Sequence, residues 1–123
     1  MSTNSSILAI NHNHQNLQLL AQFLEREGYP IVRVSRLESF EDVLNQTVTF
    51  GMALVDLSGF DRRIWDCCEQ LRSQQIPFLV LSPKPSNTLQ QKSLSHGARR
   101  MLVKPLIVRE LLLIITSIIN KSN

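Results

Sequence analysis

The residues able to do chemistry in this 123-residue chain each stand where an apolar run stops. Asn11 and His12 follow the run 7–10, Asp56 follows 52–55, Ser82 follows 78–81, and Lys104 with Pro105 follows 101–103. A carboxylate and an ammonium that meet form a charge-assisted hydrogen bond. The amide of Asn11 offers one oxygen and the imidazole of His12 offers nitrogen, a poor match to a hard divalent cation. No G-x-S-x-G elbow surrounds Ser82, which argues against hydrolysis, and the chain is not expected to be an enzyme. Adjacent Cys67 and Cys68 have no C-x-x-C or Cys/His ligand spacing. They read as reduced helix residues with one of the two facing inward.

The elements that position these groups are legible as alternating apolar patterns. Residues 7–10 form a short apolar run of the kind found in buried strands. Leu17, Leu20, Ala21 and Leu24 then recur at helical spacing, with Gly28 as a stop. Residues 31–34 are rich in β-branched side chains and read as a strand. Phe40, Val43 and Leu44 suggest a short helix, and 52–55 a strand ending at Asp56. Ile64, the cysteines and Leu71 mark a helix over about 62–73. Residues 78–81 read as a strand, Leu89 and Leu94 lie in a polar helix ending near Gly97, and 101–103 are a short strand. Pro105 fits the first turn of a last helix running to about Ile119. Strands alternating with helices predict an α/β, doubly wound architecture with five parallel strands and helices on both faces. In such sheets, ligands sit beyond the carboxyl ends of the strands, where Asn11, His12, Asp56, Ser82 and Lys104 are found.

Composition narrows the class. The chain is 43% hydrophobic and 19% charged with a formal net charge of +3, ordinary for one globular domain. The expected limits are a disordered tail over 1–5, a domain over 6–120 and a tail over 121–123. No apolar run approaches the roughly 20 residues of a membrane span. The polar start lacks a basic and apolar leader, so a cytoplasmic location is expected. Basic pairs without interleaved aromatics argue against direct nucleic-acid binding.

Together these motifs resemble the receiver domain of two-component response regulators. "ILAINHNHQNLQLL" is similar to the family's first strand and helix, "ALVDLS" to its phosphoacceptor strand, "FLVLSP" to its hydroxyl position and "MLVKPL" to its lysine-proline position. The resemblance covers the chain from Ile7 to about Ile119. It implies a (βα)5 flavodoxin-like sheet of order 2-1-3-4-5. It also implies a phosphoacceptor pocket of Asp56, Ser82, Lys104 and Pro105, with a cis bond before Pro105 and an aromatic switch position occupied here by Met101. A histidine kinase and an output domain are the implied partners.

Two departures bear on mechanism. The family's Met-Pro-Gly turn after the aspartate is replaced by Gly59-Phe60-Asp61, and its Mg²⁺-holding acidic pair is replaced by Asn11 and His12. Asp56 and Lys104 sum to zero charge, so the site is balanced without a metal. Mg²⁺ is expected to bind weakly or not at all, and no cofactor is expected. If His12 lies close to Asp56, its protonated form would add a contact. The expectation is therefore an atypical receiver, or pseudo-receiver, with little or no Mg²⁺-dependent phosphorylation. The alternatives are a conventional receiver phosphorylated on Asp56 and, more remotely, a flavodoxin-like cofactor binder. The second lacks the glycine of a phosphate-cradling loop after the first strand.

The last helix, "LIVRELLLIITSII", is apolar beyond one stripe. Val108, Leu111, Leu112, Ile115 and Ile119 share a face that should meet the sheet, while Leu106 and Leu113 point away. Ile107, Leu113, Ile114 and Leu89 are candidate partner contacts. In the family resembled, the face of the fourth helix, fifth strand and fifth helix serves dimers or output domains, so a homodimer through it is one expectation.

Overall fold

A computed structural model describes residues 5–121; most of both expected tails lies outside them. The chain alternates strictly. It runs β1 (Ser6–Ile10), α1 (His14–Arg26), β2 (Ile31–Val34), a 3₁₀ turn (Leu37–Ser39), α2 (Phe40–Leu44), β3 (Phe50–Asp56), α3 (Arg63–Ser73), β4 (Phe78–Ser82), α4 (Asn87–Ser95), β5 (Arg100–Val103) and α5 (Val108–Lys121). All pairings are parallel and the strand order is β2-β1-β3-β4-β5, as expected. No helix among the described residues is long and apolar enough to cross a membrane.

The two-residue period of a strand decides which layer each side chain joins. Ile7, Met52, Leu54 and Leu79 turn to one face, where Leu24 of α1 and Leu111 and Ile115 of α5 cover them. Leu8, Ile10, Ala53, Val55, Phe78 and Val80 turn to the other, beneath Phe40 and Leu44 of α2 and Ile64, Cys68 and Leu71 of α3. The three central strands β1, β3 and β4 are buried on both faces, so they read as continuous apolar runs rather than alternating ones.

Helix ends follow local chemistry. Asn13 caps α1 by accepting from the Asn16 amide at 2.9 Å. The helix therefore starts at His14, one turn before its first apolar residue. Gly28, at φ +96°, ends the same helix while the Tyr29 amide returns to the Leu24 carbonyl at 3.0 Å. Tyr29 then ties α1 to α5 through a 3.1 Å hydrogen bond between its hydroxyl and Thr116. Ser86 caps α4 by accepting from the Leu89 amide.

Several details differ from the sequence expectations. Both cysteines are buried, not one, because α3 is covered on a second flank by Phe40 and the 3₁₀ turn. Pro105 lies in the connection before α5 rather than in its first turn, and the Lys104–Pro105 bond is cis. Val108, the first residue of α5, is 50% exposed, since the helix begins beyond the sheet's edge. Leu106, in that connection rather than on the helix, packs inward instead.

Candidate functional site

Asp56 is the last residue of β3 and Asn11 the first beyond β1. Ile10 pairs with Val55, so one further step along the register sets Asn11 beside Asp56. Asp56 continues the alternation of Met52 and Leu54, and its side chain therefore emerges on the face covered by α1 and α5. Lys104 continues from Leu102 on the same face. The sheet thus delivers all three side chains to one point.

The carboxylate of Asp56 is 2% exposed and fully engaged. Its Oδ2 accepts from the Lys104 ammonium at 2.5 Å and from the Asn11 side-chain amide at 3.3 Å. Its Oδ1 accepts from the Ser58 backbone N–H at 2.9 Å. Lys104 also donates to the Ser58 hydroxyl at 3.4 Å. One buried anion is met by one cation and two neutral donors, the arrangement a buried charge requires.

The amides of the β1–α1 turn are spent on building it. The Asn11 carbonyl oxygen accepts from the Asn13 backbone N–H at 2.9 Å, and the Asn13 side chain caps α1 in turn. The first of these bonds fixes the orientation of the Asn11 amide, because a backbone N–H needs an oxygen. The nitrogen of Asn11 therefore points at Asp56. A divalent cation beside Asp56 would meet N–H hydrogens and an ammonium where it needs oxygen, so the residues present do not fit Mg²⁺.

His12 goes elsewhere. Its ring meets Phe60 edge-on, with centroids 5.5 Å apart, and covers Gly59 of the β3–α3 loop. Gly59 has φ +81°, and a Cβ there would stand 2.9 Å from the His12 ring. Glycine is required by the backbone and by the close approach alike.

Ser82 is buried but forms no hydrogen bond with Asp56. It ends the Phe78, Val80 alternation, on the opposite face from Asp56, and its hydroxyl donates to the Lys84 carbonyl at 2.7 Å. Met101 is half-buried against the α2–α3 side of the core. Of the candidate contact residues, Ile107 and Leu113 are 60% and 65% exposed, whereas Ile114 and Leu89 are half-buried against the two cores. Beside the site, a groove of 350 Å³ runs between α1 and α5. Leu19, Phe23 and Val108 line it, and Asp56 and Lys104 lie at one end.

Some neighbours carried no sequence signal. Ser58 adds a backbone donor and a hydroxyl to the pocket, and a serine after an aspartate is common in any turn. His96, which as a residue beside a helix-ending glycine reads as solvated, stacks on Trp65 at 5.1 Å and bonds Glu69 at 2.7 Å. Lys92 lies 5.3 Å from the Trp65 ring centre.

No family model matches the chain. It is 28% identical over 127 residues to the transcriptional regulatory protein GltR of Pseudomonas aeruginosa, an alignment covering 99% of this chain and 52% of GltR. The chain thus spans about half the length of that curated relative. Among solved structures, it is similar to a two-component response regulator from Clostridium difficile, with TM-score 0.83, 23% identity, and 97% and 98% of the two chains covered. The Francisella response regulator 1452 receiver domain matches with TM-score 0.81 and 19% identity, over 97% of this chain and 99% of that one. A signal receiver domain of a DNA binding response regulator from Colwellia psychrerythraea matches with TM-score 0.82 and 22% identity, over 94% and 98%. At these identities, the likeness establishes a shared fold.

Proposed function

We propose that this chain is a response-regulator receiver domain of an atypical kind, which signals through protein contacts with little or no Mg²⁺-dependent phosphorylation. The fold and the GltR alignment support the receiver reading. The atypical reading rests on one observation: the Asn11 amide presents nitrogen, not oxygen, to Asp56. Phosphoryl transfer to a carboxylate depends on neutralising charge at the transferring oxygens. With the acidic pair replaced, the positive group left at Asp56 is the Lys104 ammonium, already committed to the carboxylate. The partners of such a domain are a histidine kinase or an output domain. The contact surface is the face of α4, β5 and α5, where Ile107 and Leu113 are exposed to a partner or a second copy.

The test is direct. Acetyl phosphate with millimolar Mg²⁺ should leave the intact mass unchanged over a time that fully modifies a control receiver. Rapid, stoichiometric gain of one phosphoryl group, lost in Asp56→Asn, would establish the conventional reading instead. The retained Asp56–Lys104 pair favours that second reading.

A further inference from the structure

Asn16, Leu19, Leu20 and Phe23 stand at i, i+3, i+4 and i+7 of α1, which places them on one stripe of the helix. The core takes a different stripe, since Leu17, Ala21 and Leu24 are the α1 residues buried in it. Leu19 is 61% exposed although it is apolar. This stripe forms one wall of the 350 Å³ groove, and Leu106 and Val108 stand on its α5 side. From Asn16 to Phe23 the stripe runs roughly 10 Å at the helical rise.

The groove reaches Asn11, Asp56 and Lys104 at the sheet's edge. A count of hydrogens shows what they offer there. The Asp56 carboxylate already accepts from Lys104, from Asn11 and from the Ser58 N–H. An ammonium carries three hydrogens, and that of Lys104 has two partners, Asp56 and Ser58. A side-chain amide carries two, and Asn11 gives one to Asp56. Among the described residues, one N–H on each is uncommitted. The carboxylate is sealed from water, so the accessible charge at this end is the ammonium.

We propose that this groove binds a small amphipathic acid of the medium-chain carboxylate class. Its apolar chain lies along Leu19, Leu20 and Phe23, and its carboxylate accepts from the Lys104 ammonium and the Asn11 amide. Shape and charge select this occupant. The volume is close to the lower bound of small-molecule clefts, about 300 Å³. A partner's helix, about 10 Å across with its side chains, spans the rim, whereas a single chain reaches the buried Asn11. An amine would meet the ammonium, and an alcohol would forgo the charge-assisted bond. Such a ligand joins the pair that organises the site and gives the domain an input other than phosphorylation. The proposal rests on the atypical reading in one respect, that Mg²⁺ does not compete for the carboxylate.

The experiment titrates the isotopically labelled whole chain with octanoate, octanol and octylamine, each below its aggregation concentration and in the presence of EDTA. Octanoate should shift the amides of Asn11, Leu19, Phe23 and Leu106 saturably. Octanol should bind about tenfold more weakly, and octylamine should leave these amides in place. Shortening the acid should weaken it by up to about fourfold for each methylene removed. Leu19→Glu alters an exposed position, so it should fold as the parent does and abolish the shifts. Lys104→Met should bring octanoate down to the affinity of octanol; if that variant does not fold, Leu19→Glu and the octanol comparison carry the test. Equal binding of octanoate and octanol, octylamine binding at the same amides, no saturable shift, or shifts undiminished by Leu19→Glu would overturn the proposal. So would a second copy closing the groove, seen in sedimentation as a dimer that Leu19→Glu dissolves. The acetyl phosphate test reads mass added at Asp56 and this one reads occupancy of the groove, so either can fail while the other stands.

Discussion

Lys104 and Asp56 meet at the sheet's edge with the carboxylate sealed from water and the ammonium side chain 27% exposed. Removing one partner of such a pair strands the other. Lys104→Met leaves Asp56 with only the Asn11 amide and the Ser58 N–H, and it should lower the unfolding free energy by about 3 kcal/mol. Adding Asp56→Asn removes the stranded charge and should recover most of that loss. Urea denaturation of the single and double variants measures both; equal instability of the two would show that the stranded carboxylate is not the source of the loss. The sequence made this pair legible because Asp56 ends one apolar run and Lys104 directly follows another. The resemblance implied Ser82 in the same pocket, although the strand pattern carried a further signal. Phe78, Val80 and Ser82 share a parity that sets the hydroxyl across the sheet from Asp56. His12 followed no such rule, since it leaves its strand and its position depends on the loop it meets.

The loops after β1 and β3 act on each other. His12 lies over Gly59, where the backbone already takes a conformation that costs other residues about 1–3 kcal/mol. Gly59→Ala should therefore destabilise the fold by about that amount. In a His12→Ala background, the cost should shrink, because the 2.9 Å approach to the ring is removed, but not vanish, because the Cβ of residue 12 at 3.2 Å and the φ of +81° remain. A double-mutant cycle by chemical denaturation reads the difference; a cost unchanged by His12→Ala would remove the contact from the account. Elements were legible where burial wrote them. The β2 strand and α2 helix have the expected limits, since β-branched and apolar residues fill them. Element ends were less so. α1 starts at His14 on the strength of polar Asn13, which leaves no mark on apolar periodicity, and α5 starts after a connection in which Leu106 packs like a core residue.

At the scale of the molecule, two apolar layers enclose the sheet, and α3 carries two thiols into one of them. Burial, the largest cause for each, pushes the Cys67 thiol up to about 11 and the Cys68 thiol up to about 12, from 9.0. Neither is a nucleophile near neutral pH. The linkage has a definite sign. Above pH 9, the unfolded chain loses these protons while the native state keeps them, so the contribution to stability is complete below pH 9 and is lost as pH rises toward 11 to 12. The stability of the protein should thus fall more steeply between about pH 8 and about pH 10.5 than that of a Cys67→Ala, Cys68→Ala variant, measured by denaturant midpoints. Parallel slopes would mean that both thiols are solvated enough to ionise in place.

The single tryptophan sits where two helices adjoin, roofed by the imidazole of His96 from the end of α4 and by the Lys92 ammonium. Both groups belong to the fourth helix or its cap, while the indole belongs to the third. Any displacement of one helix from the other uncovers that ring and changes its polarity. The protein therefore carries a built-in optical gauge of this junction, readable in emission without a label.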